Sequence, residues 1–194
     1  MIFSDESRIS IFDQDGLKYV RRRVGEAYRP ECCTPTMKHP VSIMIWGCMA
    51  WGAVGRLQIM EGTVNARKYV ETVLERKLQQ SAEGIFKVQH PEFVFQDDAP
   101  CRTAKLCKDW FQEHDISVMD WPGNSPDLNL IENLWSRLKR LVSAKRPANR
   151  ERLIEATIEC WFHVITNEHL HALVESMPRR CQAVIDARGY PTKY

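Results

Sequence analysis

The stretch SIMIWGCMAW, Ser42 to Trp51, is apolar at consecutive positions instead of alternate ones. A β-strand sends successive side chains to opposite faces, so a run with no polar face needs cover on both sides. This places it in the middle of a sheet sandwiched between helices. The longer apolar stretch, Val41 to Gly55, is broken by Ser42 and three glycines and falls short of the roughly 20 residues of a spanning helix. It is a buried strand and not a membrane segment.

The remaining pattern supplies the neighbours. Ile2 to Phe12 reads as a strand with alternating character, and Arg56 to Met60 as a third strand after a turn at Gly52 to Gly55. Asn65 is placed to cap a helix with Tyr69, Val70, Val73, Leu74 and Leu78 at 3.6-residue spacing and Gly84 near its end. Phe93 to Gln96 is a short strand, and Thr103 to His114 a helix burying Cys107, Trp110 and Phe111. Ile116 to Met119 returns as a strand. A helix from Leu130 to about Val142 carries Ile131, Leu134, Trp135 and Leu138 inward. Beyond it, Asn149 caps a helix with the stripe Leu153, Ile154, Ile158, Trp161 and Ile165, followed by helices over Glu168 to Glu175 and from Pro178 to Gly189. Trp46, Trp51, Trp110, Trp135 and Trp161 are assigned to the core, with Trp121 at its rim. An antiparallel meander followed by alternating helices and strands gives an α/β domain with a mixed five-stranded sheet and helices on both faces.

Length and composition agree: 194 residues, 44% hydrophobic and 27% charged, suit one globular domain, residues 1–194, able to build its own core. The seven cysteines are odd in number and lack a CxxC pair, which argues against a disulfide framework and a zinc site and for a reducing compartment. Nothing at the N-terminus resembles a signal peptide. The net charge of +2 is uninformative, but its distribution is not. Arg137 to Arg152 holds seven basic residues against one acid, and Lys18 to Arg23 adds four more with none opposing. Lys139, Arg140, Lys145 and Arg146 are thereby candidates for phosphate backbones, the alternative being a solvated helix face. The patternless stretch from Asp13 to Pro40 is too long for an idle connection and reads as a functional loop.

Three acids stand out. Asp97 ends an apolar strand, where an unpaired carboxylate is costly to desolvate. Asp5 lies in the first strand, which this order sets beside the fourth, and Glu132 opens the helix after the last strand. All three can converge at the sheet edge. Carboxylates so clustered repel one another unless hard divalent cations neutralise them, and a pair of such ions supports phosphodiester displacement. Each acid also has a local explanation. Asn129 and Glu132 fit a capping box, Asp97 and Asp98 a turn and cap, and Asp5 a surface pair with Arg8 or Arg21. Taken singly these win; only the joint spacing reverses the balance.

The segments FSDES (3–7), FQDDAPCRTA (95–104) and WPGNSPDLNLIENLW (121–135) resemble the three catalytic blocks of the mariner superfamily of cut-and-paste transposases, in the branch that includes Sleeping Beauty. The 34 residues between Asp97 and Glu132 match that branch. The resemblance spans essentially the whole chain, to its closing Thr-Lys-Tyr. It implies an RNase H-like fold and a triad of Asp5, Asp97 and Glu132 holding two Mg²⁺ or Mn²⁺ ions; adjacent strand residues face opposite ways, so only one of each pair Asp5/Glu6 and Asp97/Asp98 can face the metals, and the resemblance of the motifs selects Asp5 and Asp97. It further implies cleavage and transfer of DNA strands at TA targets, double-stranded DNA as partner, a nuclear location, and a full-length protein that is a homodimer or higher on DNA, the isolated domain being monomeric. The loop at about 13–40 corresponds to a clamp loop, with Arg21, Arg22 and Arg23 as phosphate contacts. Arg102 stands where the family commonly has His, adding a cation near the metals, and Leu130 where it has Pro. No helix-turn-helix sequence precedes Met1, so an isolated catalytic domain is expected. The alternative is an inactive or domesticated fragment that binds DNA or a partner.

Overall fold

A computed structural model describes residues 1–11, 21–26, 28–29, 32–33, 40–88, 91–97, 104–121 and 125–194. Its centre is a mixed sheet. β1 (Ile2–Ser10) pairs antiparallel with β2 (Ser42–Ala50), with Asp5 opposite Gly47 and Glu6 opposite Trp46. Two short strands, β3 (Ala53–Val54) and β4 (Gln58–Met60), share the far edge of β2, one at each end. On the other side β1 pairs in parallel with β5 (Val94–Gln96), and β5 with β6 (Ser117–Val118). The five expected sheet positions are therefore filled by six strands, because the predicted strand 56–60 is preceded by an extra bridge at Ala53–Val54.

Alternation along β1 and β2 separates two cores. Phe3, Ile9, Ile43, Ile45 and Met49 face the C-terminal helices α4 (Leu130–Ala144), α5 (Arg150–Glu159) and α6 (Asn167–Glu175). Ile2, Trp46, Cys48 and Ala50 face the other way. There they meet α3 (Lys105–Glu113) and a helical run that starts as α1 (Ala66–Tyr69), widens to π geometry over Val70–Leu78 and closes as α2 (Gln79–Phe86). A last helix, α7 (Met177–Asp186), follows α6.

Local chemistry explains the helix starts. The Asn65 and Asn149 side chains accept from the backbone N–H of Lys68 and Arg152, each at 2.9 Å, satisfying donors that the first turn leaves open. Lys87 ends the run at 66–86 in a left-handed conformation, φ +55°, slightly beyond the boundary expected at Gly84. Gly47 permits one close approach. A Cβ there would lie 2.8 Å from Trp135 and 3.1 Å from Trp161, two indoles stacked 5.1 Å apart. This packing seats α4 directly over the sheet beside Asp5.

Two expected core positions differ. Trp51 is 53% exposed, stacked at 4.4 Å on His171, because the chain turns out of β2 at Gly52. Ile158 is 41% exposed. The buried face of that helix runs instead through Leu153, Ala156, Thr157, Cys160 and Trp161, with π geometry from Cys160 to Val164 shifting its phase.

Candidate active site

The parallel junction of β1 and β5 carries four carboxylates in two pairs, one pair on each face of the sheet. Asp5 lies on the α4 face. It is half-buried, and Glu132 on the first turn of α4 is the charged group that most strongly perturbs it. Burial, and next Glu132, push the Asp5 carboxyl up to about 8; the Glu6 backbone N–H draws it back, and the charges of Glu6 and Asp97 add to the rise. Asp5 makes no ion pair with Arg8 or Arg21 among the described residues.

Glu132 is exposed. The capping box expected of it does not form. Asn129 holds the N-cap position, yet its side chain bonds no helix N–H, and its Oδ1 is buried without a partner. The reason lies upstream: the Asn129 backbone N–H already donates to the Ser125 and Pro126 carbonyls, at 3.2 and 3.1 Å, so it offers nothing for Glu132 to cap. The Glu132 side chain makes no hydrogen bond or ion pair among the described residues, although the helix N-terminus favours its negative charge.

Asp97 follows directly on β5 and is fully buried. Its Oδ2 accepts from Ser4 Oγ at 2.6 Å and from the Tyr69 hydroxyl. Both donors belong to the face opposite Asp5, as the register predicts: Ile2 is level with Phe95 and Phe3 with Gln96, so Ser4 is level with Asp97. Its charge is felt by Glu6, which burial first and Asp97 next push up to about 8. Glu132 is thus the acid whose charge acts most on Asp5, whereas Asp97 is bonded on the opposite face, where its charge acts most on Glu6. No group of three His, Cys, Asp or Glu in metal-holding geometry occurs among the described residues.

Three further residues bear on these acids, and the sequence pattern does not single them out. Ser4 and Tyr69 are the donors to Asp97. A tyrosine on an apolar helix stripe is the available signal, since a buried phenol needs a partner where phenylalanine does not. Gln96 is fully buried with both amide atoms unpartnered, and alternation sets it on the Asp5 face, beside Phe3.

Of the basic candidates, Arg21, Arg22 and Arg23 are exposed. Lys139 and Arg140 lie along α4, and Lys145 and Arg146 follow its end, roughly 20 Å along the helix axis from Glu132 for Lys145. Lys145 is paired with Glu159 at 2.8 Å. Arg102 and Asp98 fall outside the described residues, as does most of the stretch 13–40.

Residues 1–154 match the family described as DDE superfamily endonuclease. The Tc1 transposase of Caenorhabditis elegans is 40% identical over 196 residues, an alignment covering all of this chain and 70% of that protein. Among solved structures, the Mos1 mariner paired-end complex with Mn superposes with a TM-score of 0.76 at 18% identity, over 99% of this chain and 56% of the other. The Mos1 paired-end complex with Mg gives 0.74 at 19% identity, over 99% and 56%. The chain spans about half the length of the Mos1 chains it matches, and at that identity the likeness establishes the fold, which is RNase H-like.

Proposed function

The chain belongs to the DDE superfamily of endonucleases and, within it, to the Tc1/mariner transposases, and on that premise we propose that residues 1–194 are one catalytic unit that cleaves and rejoins DNA strands through Asp5, Asp97 and Glu132. The observation that carries this reading is the uncompensated pair. A strand acid and a helix acid, remote in sequence, face each other closely enough for Glu132 to raise Asp5, and no cation among the described residues relieves them. Such a pair is destabilising until a cation sits between its members.

Carboxylate oxygens are the donors a hard divalent ion prefers, so the residues fit Mg²⁺ or Mn²⁺, in keeping with Mos1 complexes solved with each. We assign Asp5, Asp97 and Glu132 as the ligands of two ions. Bound there, the ions would neutralise charge developing on a phosphodiester during in-line displacement. The chain's own contribution is placement. Asp5 is fixed by the β1–β2 ladder, opposite Gly47, and Glu132 by a helix whose Ile131, Leu134 and Trp135 are buried. Asp97 lies just past the last residue of β5, and to serve as a ligand beside the other two it would exchange its bonds to Ser4 and Tyr69. Gln96, buried with a free amide, can donate toward the same face.

The substrate in this reading is double-stranded DNA, transposon end and target, with TA as target dinucleotide, in the nucleus, the working assembly being a dimer or larger. Arg21, Arg22, Arg23, Lys139, Arg140, Lys145, Arg146 and Arg102 supply phosphate contacts, and 13–40 the clamp loop. Nicking of supercoiled plasmid in Mn²⁺ tests the assignment: the parent converts it to open circle, and Asp5→Asn, Asp97→Asn and Glu132→Gln do not. An Asp97→Asn protein as active as the parent would remove Asp97 from the triad.

A further inference from the structure

We infer that Arg180 is a positioning residue for Glu132, acting through Asn133 and the turn before α4; this rests on the role proposed above for Glu132. Arg180, on α7, is only 3% exposed, and each of its three guanidinium nitrogens donates a hydrogen bond. Nε donates to Ser176 Oγ at 2.7 Å, Nη1 to the Asp127 carbonyl at 2.8 Å and Nη2 to Asn133 Oδ1 at 2.6 Å. The Tyr194 ring lies 4.8 Å from its central carbon. Asp127 is gripped twice, since its Oδ2 also accepts the Thr192 N–H at 2.7 Å. One buried cation therefore ties together α7, the segment at 192–194, the turn leading into α4, and the residue next to Glu132.

The tether matters because α4 begins without the usual device. Asn129 offers no capping oxygen to the first turn, and an uncapped first turn frays. Among the described residues Glu132 has no side-chain bond of its own to hold it. Its direction is inherited from the backbone at 131–134, whose depth is set by Ile131 and Leu134 in the core and whose rotation is set at Asn133. Stability alone does not call for arginine here, because an apolar side chain of similar volume usually serves a buried site as well as or better than a charge. What the planar fork adds is direction, two acceptors fixed at once in one plane. Lysine cannot reproduce that.

The experiment is Mn²⁺ titration of the 194-residue protein, read by electron paramagnetic resonance, alongside thermal unfolding. Arg180→Lys is expected to weaken Mn²⁺ binding about tenfold, in the range found when groups that orient ligands are removed, and Asn133→Ala and Tyr194→Ala to weaken it in the same direction. In a Glu132→Gln background, which itself weakens binding, Arg180→Lys should add nothing further. Should Arg180→Lys fail to fold, Asn133→Ala carries the same cycle. Parental affinity in both the Arg180 and Asn133 variants, or effects that simply add to that of Glu132→Gln, would overturn the inference while leaving Glu132 as a ligand. If Glu132→Gln itself binds Mn²⁺ like the parent, the ligand assignment falls and the positioning role with it.

Discussion

Replacing Asp5 by asparagine should make the metal-free protein more stable at pH 8. Asp5 is raised from 3.8 to about 8, so between those values the folded chain holds a proton that the unfolded chain has released. Folding then weakens as the pH climbs through that window, and levels off above it. At about 1.4 kcal/mol per pH unit the full shift corresponds to roughly 6 kcal/mol. Asp5 is only half-buried, and water screening brings the realisable part to roughly 2–3 kcal/mol. Asparagine keeps the shape and abolishes the charge, so Asp5→Asn should recover that amount at pH 8 and almost none at pH 4.

For a chain of this length about 2–4 °C accompanies each kcal/mol, which gives roughly 5–10 °C. The assay is thermal unfolding in EDTA at several values between pH 4 and 8.5, parent against variant. Mn²⁺ at pH 8 should reverse the order once it reaches about a thousandfold excess over the parent's dissociation constant, where the parent gains about 4.1 kcal/mol and the variant does not. Parallel pH profiles for the two proteins, or a variant less stable than the parent at pH 8 in EDTA, would refute the claim that Asp5 and Glu132 are an unrelieved pair.

Tyr69→Phe removes a hydroxyl donor to the buried Asp97 carboxylate and leaves Ser4 in place; it should destabilise the metal-free fold by roughly 1.5–3 kcal/mol in urea unfolding. Gly47→Ala pushes a methyl to 2.8 Å from Trp135. To accommodate it α4 must lift, at a cost of about 1–3 kcal/mol, and plasmid nicking should fall as well because Asp5 and Glu132 separate. Replacing Arg21, Arg22 and Arg23 together by alanine should flatten the dependence of DNA affinity on salt, by about 0.9 in log–log slope for each phosphate that these arginines neutralise, as read by fluorescence anisotropy in a KCl series.

The parts legible in the sequence are those fixed by neighbours within about four residues or by strict period. Asn65 and Asn149 are recognisable as caps because the donor each satisfies is three residues away, and the two-sided run in β2 calls for helices on both faces whatever their identity. The same grammar misleads at Asn129. There the Ser125–Leu128 turn, which contains Pro126, satisfies the cap residue's own N–H. Ile158 is misplaced for another reason: within α5 the buried face is centred on Leu153, Ala156 and Thr157, and at about 100° per residue Ile158 falls outside it. Arg180 is invisible, because its acceptors Asp127 and Asn133 lie far away in the chain and nothing about an arginine in the sequence MPRRCQ distinguishes it from its neighbour Arg179.

Asp97 marks the deepest limit. Alternation assigns a side chain to a face only while ladder bonds enforce it, and β5 ends at Gln96. Past that residue two hydroxyls, one from β1 and one from α1, keep the carboxylate on the face where the strand's register has already put it. Neither bond is encoded locally. The arrangement makes chemical sense for a carboxyl group in a fully buried position: hydroxyls on the far face bond its oxygen, and anything on the near face must compete with them. Asp5 and Glu132 cannot be that competitor, since like charges repel. A cation held by Asp5 and Glu132 would supply the counter-ion that Asp5 lacks among the described residues, so the raised Asp5 carboxyl should fall when metal binds, and Asp97 would complete the ligand set only by exchanging its hydroxyl partners for the ion.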